Sequence, residues 1–353
     1  MSIDFVKAGL IIAWTPDRIR IGEIFPLGEE LIFGREPSIF PGGPLDDTMI
    51  SRRHFQLERA EEGTYELVDL HSSNGTSVNG SNVNRAVLKD GHWLRAGDTF
   101  MVYRRFPPTL PINQMWGMDS MLPSVGPAFG YVRHLCRELG GSRRPVLVVG
   151  PPGAAKRQIA EQIHFKGDPD APCLSMDGNA PIEQDLVNVL QEARGGTLIL
   201  RHVDHLSLHA QQILKNAIAV EFDVRMLATA NRPVSEIEGD GHLAPELLRH
   251  FAQSVIEVPP LNDHIEDMIP WVLHYLRECD EEERTLDPTL INALFTLCWS
   301  ENYRQLKAII DVALSEPAAR LTLSKNVAKE LLGVPSLTLS SQLSQSFKKT
   351  APY

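Results

Sequence analysis

Five side chains in the first hundred residues have the chemistry to hold a phosphate group. Arg35 and Arg52 each supply a planar, permanently charged guanidinium that matches phosphate oxygens. Ser51, Ser73 and Asn74 add short hydroxyl and amide donors, which lose little entropy when they are ordered. These residues fall in polar stretches beside apolar, strand-like runs, so they are expected on loops between strands. Together they indicate a phosphate-binding site.

A second candidate phosphate site follows the apolar run PVLVVG, which is typical of a buried parallel strand. The next residues, GPPGAAKRQIAEQIH from Gly150 to His164, have the order of a glycine-containing loop, a lysine and an amphipathic helix. That order predicts a P-loop, in which backbone amides face phosphates and Lys156 reaches the outer ones. The match is imperfect, because Ala155 replaces the second glycine of the motif and Arg157 follows the lysine. A methyl group at Ala155 disfavours a backbone conformation with positive φ.

The overall composition limits the class of function. The 353 residues are enough for about two or three domains, and 43% hydrophobic with 22% charged residues is typical of a soluble globular protein. The net charge of −11 argues against direct nucleic-acid binding, which needs a basic face. The four cysteines lack zinc or disulfide spacing, so we expect free thiols and no bound metal. Neither a membrane-spanning run nor a signal sequence is apparent, which predicts a cytoplasmic protein.

The pattern of elements changes along the chain and predicts a multidomain fold. Short strands with turn signals, one of them at Glu62-Gly63, favour an all-β sandwich. Four prolines then indicate a linker, after which helices and strands alternate. Three or four amphipathic helices follow, with a start signal at Asp287-Pro288. The expected divisions are a sandwich (1–105), a linker (106–125), an α/β P-loop module (126–261), a helical lid subdomain (262–333) and a disordered tail (334–353).

Four sequence blocks around the first site resemble the forkhead-associated (FHA) domain, a β-sandwich that binds phosphothreonine peptides. The blocks follow the family's order: GR (34–35), SRRH (51–54), SSNGT (72–76) and VNG (78–80). The resemblance implies that Asn74 binds the peptide backbone, and that His54 and Gly75 have structural roles. It also implies that the phosphate is held by Arg35, Ser51, Arg52 and Ser73. A plainer interpretation treats Arg35 as an ordinary surface charge and Asn74-Gly75 as an ordinary turn.

Residues 126–333 resemble the AAA+ domain of sigma-54-dependent transcriptional activators. The blocks that carry this resemblance are GGTLIL (195–200), LATANRP (227–233), VIEVPPL with ED (255–261 and 266–267) and WSENYRQLK (299–307). The resemblance implies that a nucleotide would be held, weakly if at all, by Gly150, Gly153, Lys156, Arg157 and Arg304. A plainer interpretation is that these strands serve packing alone, whether or not ATP is used.

Departures from this family predict a pseudo-ATPase with no catalytic residue. The family's acidic pair, which holds magnesium, is replaced by Arg201 and His202, so positive charge is expected where the metal would lie. Asp204 is acidic, but it lies two residues after His202 and is therefore shifted from the positions of the acidic pair. The two arginine fingers of the family fall on Ala244 and His250. Because phosphoryl transfer depends on a metal and on arginines to stabilise charge, we expect no hydrolysis.

The two resemblances together predict a phosphothreonine-binding signalling adaptor whose AAA+ module makes protein contacts. The family's insertion with the GAFTGA loop, which engages the sigma factor, has no room between residues 180 and 195, and no helix-turn-helix is apparent. The expected partners are a Thr-phosphorylated protein of a Ser/Thr kinase pathway and a second copy or a related AAA+ subunit, without nucleic acid or membrane. No cofactor is required, although Lys156 and Arg304 can still hold ATP or ADP. Two alternatives stay open: an ATP-binding sigma-54-dependent transcription regulator, and a structural protein with neither site active.

Overall fold

The computed structural model describes residues 7–36, 43, 45–60, 63–106 and 122–332. Glu62 of the expected turn, most of the expected linker and the expected disordered tail lie outside these residues. No helix of the described part is long and apolar enough to cross a membrane.

The N-terminal part is a β-sandwich of two antiparallel sheets. One sheet has six strands in the order β2-β1-β10-β9-β6-β7, and the other has four in the order β3-β4-β5-β8. Alternate residues point into the core; Leu57, for example, pairs with Leu67 across the sheet and both are fully buried. The strands are β1 (Lys7–Trp14), β2 (Ile24–Pro26), β3 (Glu30–Phe33), β4 (Phe55–Arg59), β5 (Tyr65–Asp69), β6 (Thr76–Val78), β7 (Ser81–Val83), β8 (Arg85–Leu88), β9 (Trp93–Ala96) and β10 (Thr99–Phe106).

The middle part is an α/β module built on a parallel sheet in the order β12-β13-β14-β11-β15. All four residues of β11 are buried, as expected for the β-branched run in the centre of such a sheet. The elements are α1 (Pro127–Gly140), β11 (Val146–Val149), α2 (Lys156–Gly167), β12 (Cys173–Asp177), α3 (Leu186–Glu192), β13 (Thr197–Arg201), α4 (Leu208–Ala219), β14 (Arg225–Ala230), α5 (Val234–Asp240), α6 (Pro245–Phe251) and β15 (Val255–Glu257).

The C-terminal part of the described chain is a helical subdomain. The start signal at Asp287-Pro288 is confirmed: the Asp287 carboxylate accepts a hydrogen bond from the backbone of Thr289 (2.8 Å) and Pro288 opens the helix. The elements over these residues are α7 (Met268–Glu278), β16 (Thr285–Leu286), α8 (Pro288–Thr296), α9 (Asn302–Leu314), β17 (Arg320–Leu321) and α10 (Lys325–Leu332).

The structure places the sandwich boundary slightly differently from the sequence. Strand β10 extends to Phe106, one residue into the expected linker, because Phe106 pairs with Lys7 and its side chain is buried. At the other end of the linker, Leu122 and Val125 are also buried. These linker ends therefore belong to packed structure.

A buried ion pair joins the sandwich to the rest of the chain. Arg104 of β10 donates two hydrogen bonds to the Glu266 carboxylate, at 2.9 and 2.6 Å, and a third to the carbonyl of Asp263 at 2.6 Å. The side chains of Arg104 and Glu266 are 7% and 0% exposed. The neighbouring Asp267 accepts hydrogen bonds from the backbone of Val125 and Gly126. The Glu-Asp pair therefore connects both the sandwich and the linker end to the start of α7.

Aromatic side chains extend this junction. Trp93 and Phe100 of the sandwich stack on each other, and both contact Phe295 of α8, with ring centroids 5.6 and 5.4 Å away. Burial of these rings adds a hydrophobic contribution to the ion pair. The sandwich is thus packed against the helical subdomain through a specific interface.

We predict that Arg104→Met lowers the free energy of unfolding by about 3–5 kcal/mol, because it leaves the Glu266 carboxylate buried without a cation. The exposed neighbour Arg105 provides the matched control, and Arg105→Met should change stability by less than about 1 kcal/mol. Chemical denaturation measures both. The double variant Arg104→Met/Glu266→Met should recover most of the loss, and equal stability of the two single variants would contradict the role given to this pair.

Candidate functional site

The loops at one end of the sandwich bring the predicted phosphate-binding residues together. Gly34 allows this approach, because a Cβ atom at that position would overlap the carbonyl oxygen of Arg52. The backbone N–H of Arg35 then donates to the carbonyl of Ser51 at 3.0 Å. The end of β3 is thereby fixed to the loop that precedes β4, and the exposed side chains of Arg35 and Arg52 lie on adjoining loops.

His54 joins this loop to the one between β5 and β6. Its Nδ1 accepts a hydrogen bond from the backbone of Ser51 at 3.0 Å, which leaves the proton on Nε2 to be donated to the carbonyl of Gly75 at 3.1 Å. The ring is 0% exposed, and burial lowers the pKa of His54 below its ordinary value. Gly75 adopts a φ of 73°, which a side chain would disfavour. The structural roles expected for His54 and Gly75 agree with these contacts.

Two hydroxyl groups face each other across the loops. The Ser51 Oγ accepts a hydrogen bond from the backbone of Ser73 at 2.9 Å, and the two Oγ atoms are 3.5 Å apart. Asn74 lies beside them, but its amide donates to the carbonyl of Met49 at 2.7 Å. The resemblance implied that Asn74 binds a peptide; here one of its two amide N–H groups bonds to its own chain, which leaves the second N–H and the side-chain oxygen for a ligand.

An aspartate that sequence reasoning missed shapes the second loop. The Asp69 carboxylate accepts hydrogen bonds from the backbone (2.9 Å) and hydroxyl (2.6 Å) of Ser72, and from the hydroxyl of Thr76 (2.6 Å). Burial pushes the pKa of Asp69 up, but these hydrogen bonds outweigh it and hold the pKa below its ordinary value. The sequence feature that could have revealed Asp69 is an aspartate at the end of a strand, three residues before a serine. This arrangement commonly forms a turn.

The second candidate site has the backbone of a P-loop. Ala155 adopts φ 61°, the left-handed conformation that the motif's glycine normally supplies, so the loop forms in spite of its methyl group. Gly153 is required, since a side chain there would overlap the carbonyl of Glu301. Its own carbonyl accepts from the backbone of Tyr303 at 3.1 Å, and the amide of Asn302 donates to Pro152 at 2.8 Å. The helical subdomain therefore packs directly on the loop.

Lys156 is occupied within its own loop. Its ammonium donates to the carbonyls of Gly150 and Pro151, at 2.8 and 2.7 Å. The residue is 8% exposed, and burial together with the charge of Arg304 lowers the pKa of Lys156 to about 8.

The two arginines expected beside Lys156 are paired with neighbouring carboxylates. Arg304 pairs with Glu301 at 3.0 Å, and Arg157 with Glu161 at 2.6 Å, on the exposed face of α2. The structure thus brings Gly150, Gly153, Lys156 and Arg304 around the loop, while the Arg157 side chain is engaged elsewhere.

The residues that replace the acidic pair are held by a neighbouring strand. Asp177, at the end of β12, contacts the Arg201 guanidinium at 3.0 Å and the His202 ring at 2.8 Å. Strand β12 is the outer neighbour of β13, on the side away from β11. The sequence indicated positive charge where a metal would lie; these contacts instead direct both side chains toward the sheet edge.

Asp204 is the carboxylate of this region whose charge affects the pKa of Lys156. His202 takes a left-handed φ of 51°, and the following 3-10 turn buries the Asp204 side chain to 1% exposure. One carboxylate oxygen contacts Arg232 at 3.2 Å, and the other finds no hydrogen-bond partner among the described residues. The charge of Asp204 partly offsets the lowering of the Lys156 pKa. Sequence reasoning gave Asp204 little weight because its position is shifted.

The residues at the two acidic positions of the motif do not match the oxygen ligands that magnesium prefers. Asp204 offers one unpartnered oxygen, and the two acidic positions of the motif carry basic side chains. A cavity of about 160 Å³ does lie beside the loop, bounded by Ala155 and by Trp271 and Tyr303, which stack with ring centroids 5.3 Å apart. Its lining is mixed: Leu122, Phe129, Trp271 and Tyr303 are apolar or aromatic, whereas Glu161 and Glu278 are acidic.

Two family models match the chain. The FHA domain matches residues 31–102 and the sigma-54 interaction domain matches residues 132–261. The chain carries an FHA domain followed by a sigma-54 interaction domain. The first match contains the five residues that the sequence predicts to bind phosphate, and the second contains the P-loop and Asp204.

By name, the relatives include a transcriptional regulator and a nitrogen fixation protein. The chain is 25% identical over 231 residues to the DNA-binding transcriptional regulator NtrC of Escherichia coli, covering 55% of this chain and 49% of the relative. It is 26% identical over 221 residues to the nitrogen fixation protein VnfA of Azotobacter vinelandii, covering 52% and 42%. The chain therefore spans less than half the length of these two relatives.

A solved structure supports the fold. The crystal structure of NtrX from Brucella abortus in complex with ATP is similar, with a TM-score of 0.53 and 18% sequence identity over 64% of this chain and 59% of that chain. At this identity the likeness shows the fold alone. The sigma-54 interaction domain accordingly has the parallel sheet of a P-loop NTPase.

We predict a characteristic pH dependence from Lys156. Its pKa is about 8 in the folded chain and 10.5 in its ordinary state, so between these values the unfolded chain binds a proton that the folded chain has released. The free energy of unfolding of the unmodified protein should therefore rise with pH across this window relative to Lys156→Met, by up to about 3 kcal/mol. Denaturation at pH 7.5 and 10.5 measures the change, with exposed Lys89→Met as control. If the difference in the free energy of unfolding between Lys156→Met and the unmodified protein does not change with pH, the lysine is not desolvated.

Proposed function

We propose that this protein is a phosphothreonine-binding signalling adaptor. The observation that carries the proposal is the pair of loops joined by buried His54, which place the hydroxyls of Ser51 and Ser73 3.5 Å apart. Arg35 and Arg52 are exposed on the segment between β3 and β4 that also carries Ser51, so both guanidinium groups are accessible to a ligand. Fixed donors of this kind lose little entropy on binding and favour a dianion. The ligand is a threonine-phosphorylated segment of a partner protein.

The sigma-54 interaction domain acts in this proposal as a protein-contact module and a pseudo-ATPase. Its P-loop lysine is bonded to loop carbonyls, its acidic pair is replaced, and the finger positions are Ala244 and His250. ATP or ADP can still occupy the loop and the adjacent cavity without being cleaved, which is in keeping with the ATP named in the NtrX structure. The partners of this module are a second copy of the chain or a related AAA+ subunit.

A second candidate is an ATP-using regulator that acts with sigma-54. Two observations favour it: the P-loop backbone is formed, and Asp204 keeps one buried oxygen without a partner among the described residues. The names of its relatives, which include the transcriptional regulator NtrC, point the same way. This candidate hydrolyses ATP and the adaptor does not, so a measurement of ATP hydrolysis distinguishes the two.

For the first site, we expect Arg35→Ala to reduce the affinity for phosphothreonine peptides by about 2–4 kcal/mol, since it removes a charge-assisted contact. Micromolar binding would then fall below detection. The matched control is Arg85→Ala on β8, an exposed arginine of the same sandwich, which should bind as the unmodified protein does. Fluorescence anisotropy with phosphorylated and unphosphorylated library peptides gives the values. Equal binding of the two libraries would refute the proposal.

For the second site, we expect no magnesium-dependent phosphate release from ATP above the rate of Lys156→Ala. The reason is the missing acidic pair and fingers, which in phosphoryl transfer stabilise the transition-state charge. Colorimetric phosphate release, with and without magnesium, provides the measurement. Release that depends on magnesium and disappears in Lys156→Ala would favour the ATP-using regulator.

A further inference from the structure

Another cavity lies at the edge of the parallel sheet opposite the P-loop. It has a volume of about 180 Å³ and is formed where β13 and β14 begin and where α2 ends. The strands are parallel, so their amino ends meet at this edge, whereas the P-loop follows the carboxyl end of β11. The cavity is therefore separate from both candidate sites described above.

Arg225 brings a buried positive charge to this cavity. The residue lines the cavity and is 5% exposed, and its guanidinium donates to the carbonyls of Arg144 (3.1 Å) and Leu139 (2.7 Å) through Nε and Nη2. Its Nη1 forms no hydrogen bond with the described residues, and none of their carboxylates pairs with it. Burial and the neighbouring charge of Arg143 lower the pKa of Arg225 to about 10. A buried cation without a counter-ion is costly, and an anion in the cavity would relieve that cost.

His164, in the last turns of α2, adds a second buried polar group to the lining. It is 2% exposed, and its Nδ1 lies 2.9 Å from the hydroxyl of Thr197 at the start of β13. The Nε2 atom forms no hydrogen bond with the described residues, although the Ala171 carbonyl is near enough to act on the pKa of the ring. Burial has the larger effect and lowers the pKa of His164, so the ring is neutral. When the Thr197 hydroxyl donates to Nδ1, the proton is on Nε2 and can be donated to a ligand.

The carboxylates near the cavity are less effective than its buried cation. Asp168 is part of the lining, and Asp223 pairs with Arg143 at 3.0 Å. Both carboxylates are exposed, so water and salt screen their charges, whereas the buried Arg225 is screened much less. The electrostatics of the cavity therefore favour an anion.

The walls of the cavity are closely packed main chain. A Cβ atom at Gly196 would lie 2.0 Å from the carbonyl oxygen of Pro172, and one at Gly167 would lie 2.2 Å from that of Gly140. Close packing accounts for these glycines and leaves the cavity formed without a ligand. Its volume exceeds the share of one water molecule, about 30 Å³, but is below the roughly 300 Å³ at which pockets for larger organic ligands begin. The size favours a small ion over a nucleotide or a peptide.

We propose that this cavity binds a small tetrahedral oxyanion such as inorganic phosphate, with Arg225 as its buried cation. A guanidinium matches the oxygens of such an ion, Arg143 supplies a second cation at the rim, and His164 offers a further donor. Bound there, the ion connects the end of α2 to the starts of β13 and β14 and stabilises the α/β module. This site is independent of the proposed phosphothreonine site.

The test titrates the full chain with inorganic phosphate by isothermal titration calorimetry. We expect saturable binding with a Kd below about 1 mM, weakened at least about tenfold in Arg225→Gln. The matched control is Arg249→Gln on α6, which removes an exposed arginine of the same module and should bind as the unmodified protein does. The binding should persist in Arg35→Ala/Lys156→Ala, which alters the two other candidate phosphate sites.

A second pair of variants leaves Arg225 and its two carbonyl contacts in place. Gly141 lines the cavity with a φ of −68°, and a Cβ atom there meets nothing within 4 Å, so a side chain fits. Gly141→Glu places a carboxylate at the cavity and should bind phosphate at least about tenfold more weakly than Gly141→Gln, which has the same length without the charge.

The outcomes are decisive in both directions. Binding that is weakened in Gly141→Glu relative to Gly141→Gln, and in Arg225→Gln relative to Arg249→Gln, supports the oxyanion site. No saturation up to about 10 mM phosphate, equal binding by the two Gly141 variants, or full binding by a folded Arg225→Gln overturns it and shows that Arg225 serves packing alone. Loss of the binding in Arg35→Ala/Lys156→Ala assigns it to the other loops and also overturns the inference.

Discussion

The buried ring of His54 is the constraint on which the proposed phosphate site depends. It uses both nitrogens to hold two loops that are distant in sequence, one at Ser51 and one at Gly75. A ring so buried stays neutral, so it can accept at Nδ1 and donate at Nε2 at once; protonation would make both nitrogens donors and break the bond from Ser51. The charged groups of the site can therefore remain in solvent, because the geometry is set beneath them by an uncharged group.

The P-loop has the opposite design. There the positive charge is buried and already bonded to the carbonyls of Gly150 and Pro151, and Asp204 lies within its electrostatic reach. An incoming phosphate would have to replace these contacts before it gained any attraction. In the FHA domain the arginines of the proposed phosphate site are exposed. The chain thus contains two loops of related chemistry: the cations of one are open to solvent, and the cation of the other is bonded to its own backbone.

The sequence predicted the fold class and the positions of both loops, because local motifs fix backbone shape through glycines, turns and caps; the ligand contacts of the loop residues stay a prediction. It could not predict side-chain directions that depend on distant neighbours. Arg201 turns toward Asp177 across a strand pair, and the amide of Asn74 is taken by Met49 on another loop. Asp204 becomes buried because His202 adopts a left-handed backbone conformation. The presence of a histidine in the sequence does not predict that conformation. Asp69 could have been found, since an aspartate before a serine-rich turn is a local signal.

The junction between the domains bears on whether the second loop can work as an ATPase. Glu266 and Asp267, which bond to Arg104 and to the backbone of Val125, immediately precede α7, and α7 carries the Trp271 that bounds the cavity beside the P-loop. Movement of this helical subdomain against the P-loop would have to carry the FHA domain with it or break a buried ion pair. A nucleotide-driven motion of the helical subdomain would therefore move the FHA domain with it as long as the ion pair holds. The proposed adaptor, by contrast, binds its ligand on the FHA loops without any movement of this junction.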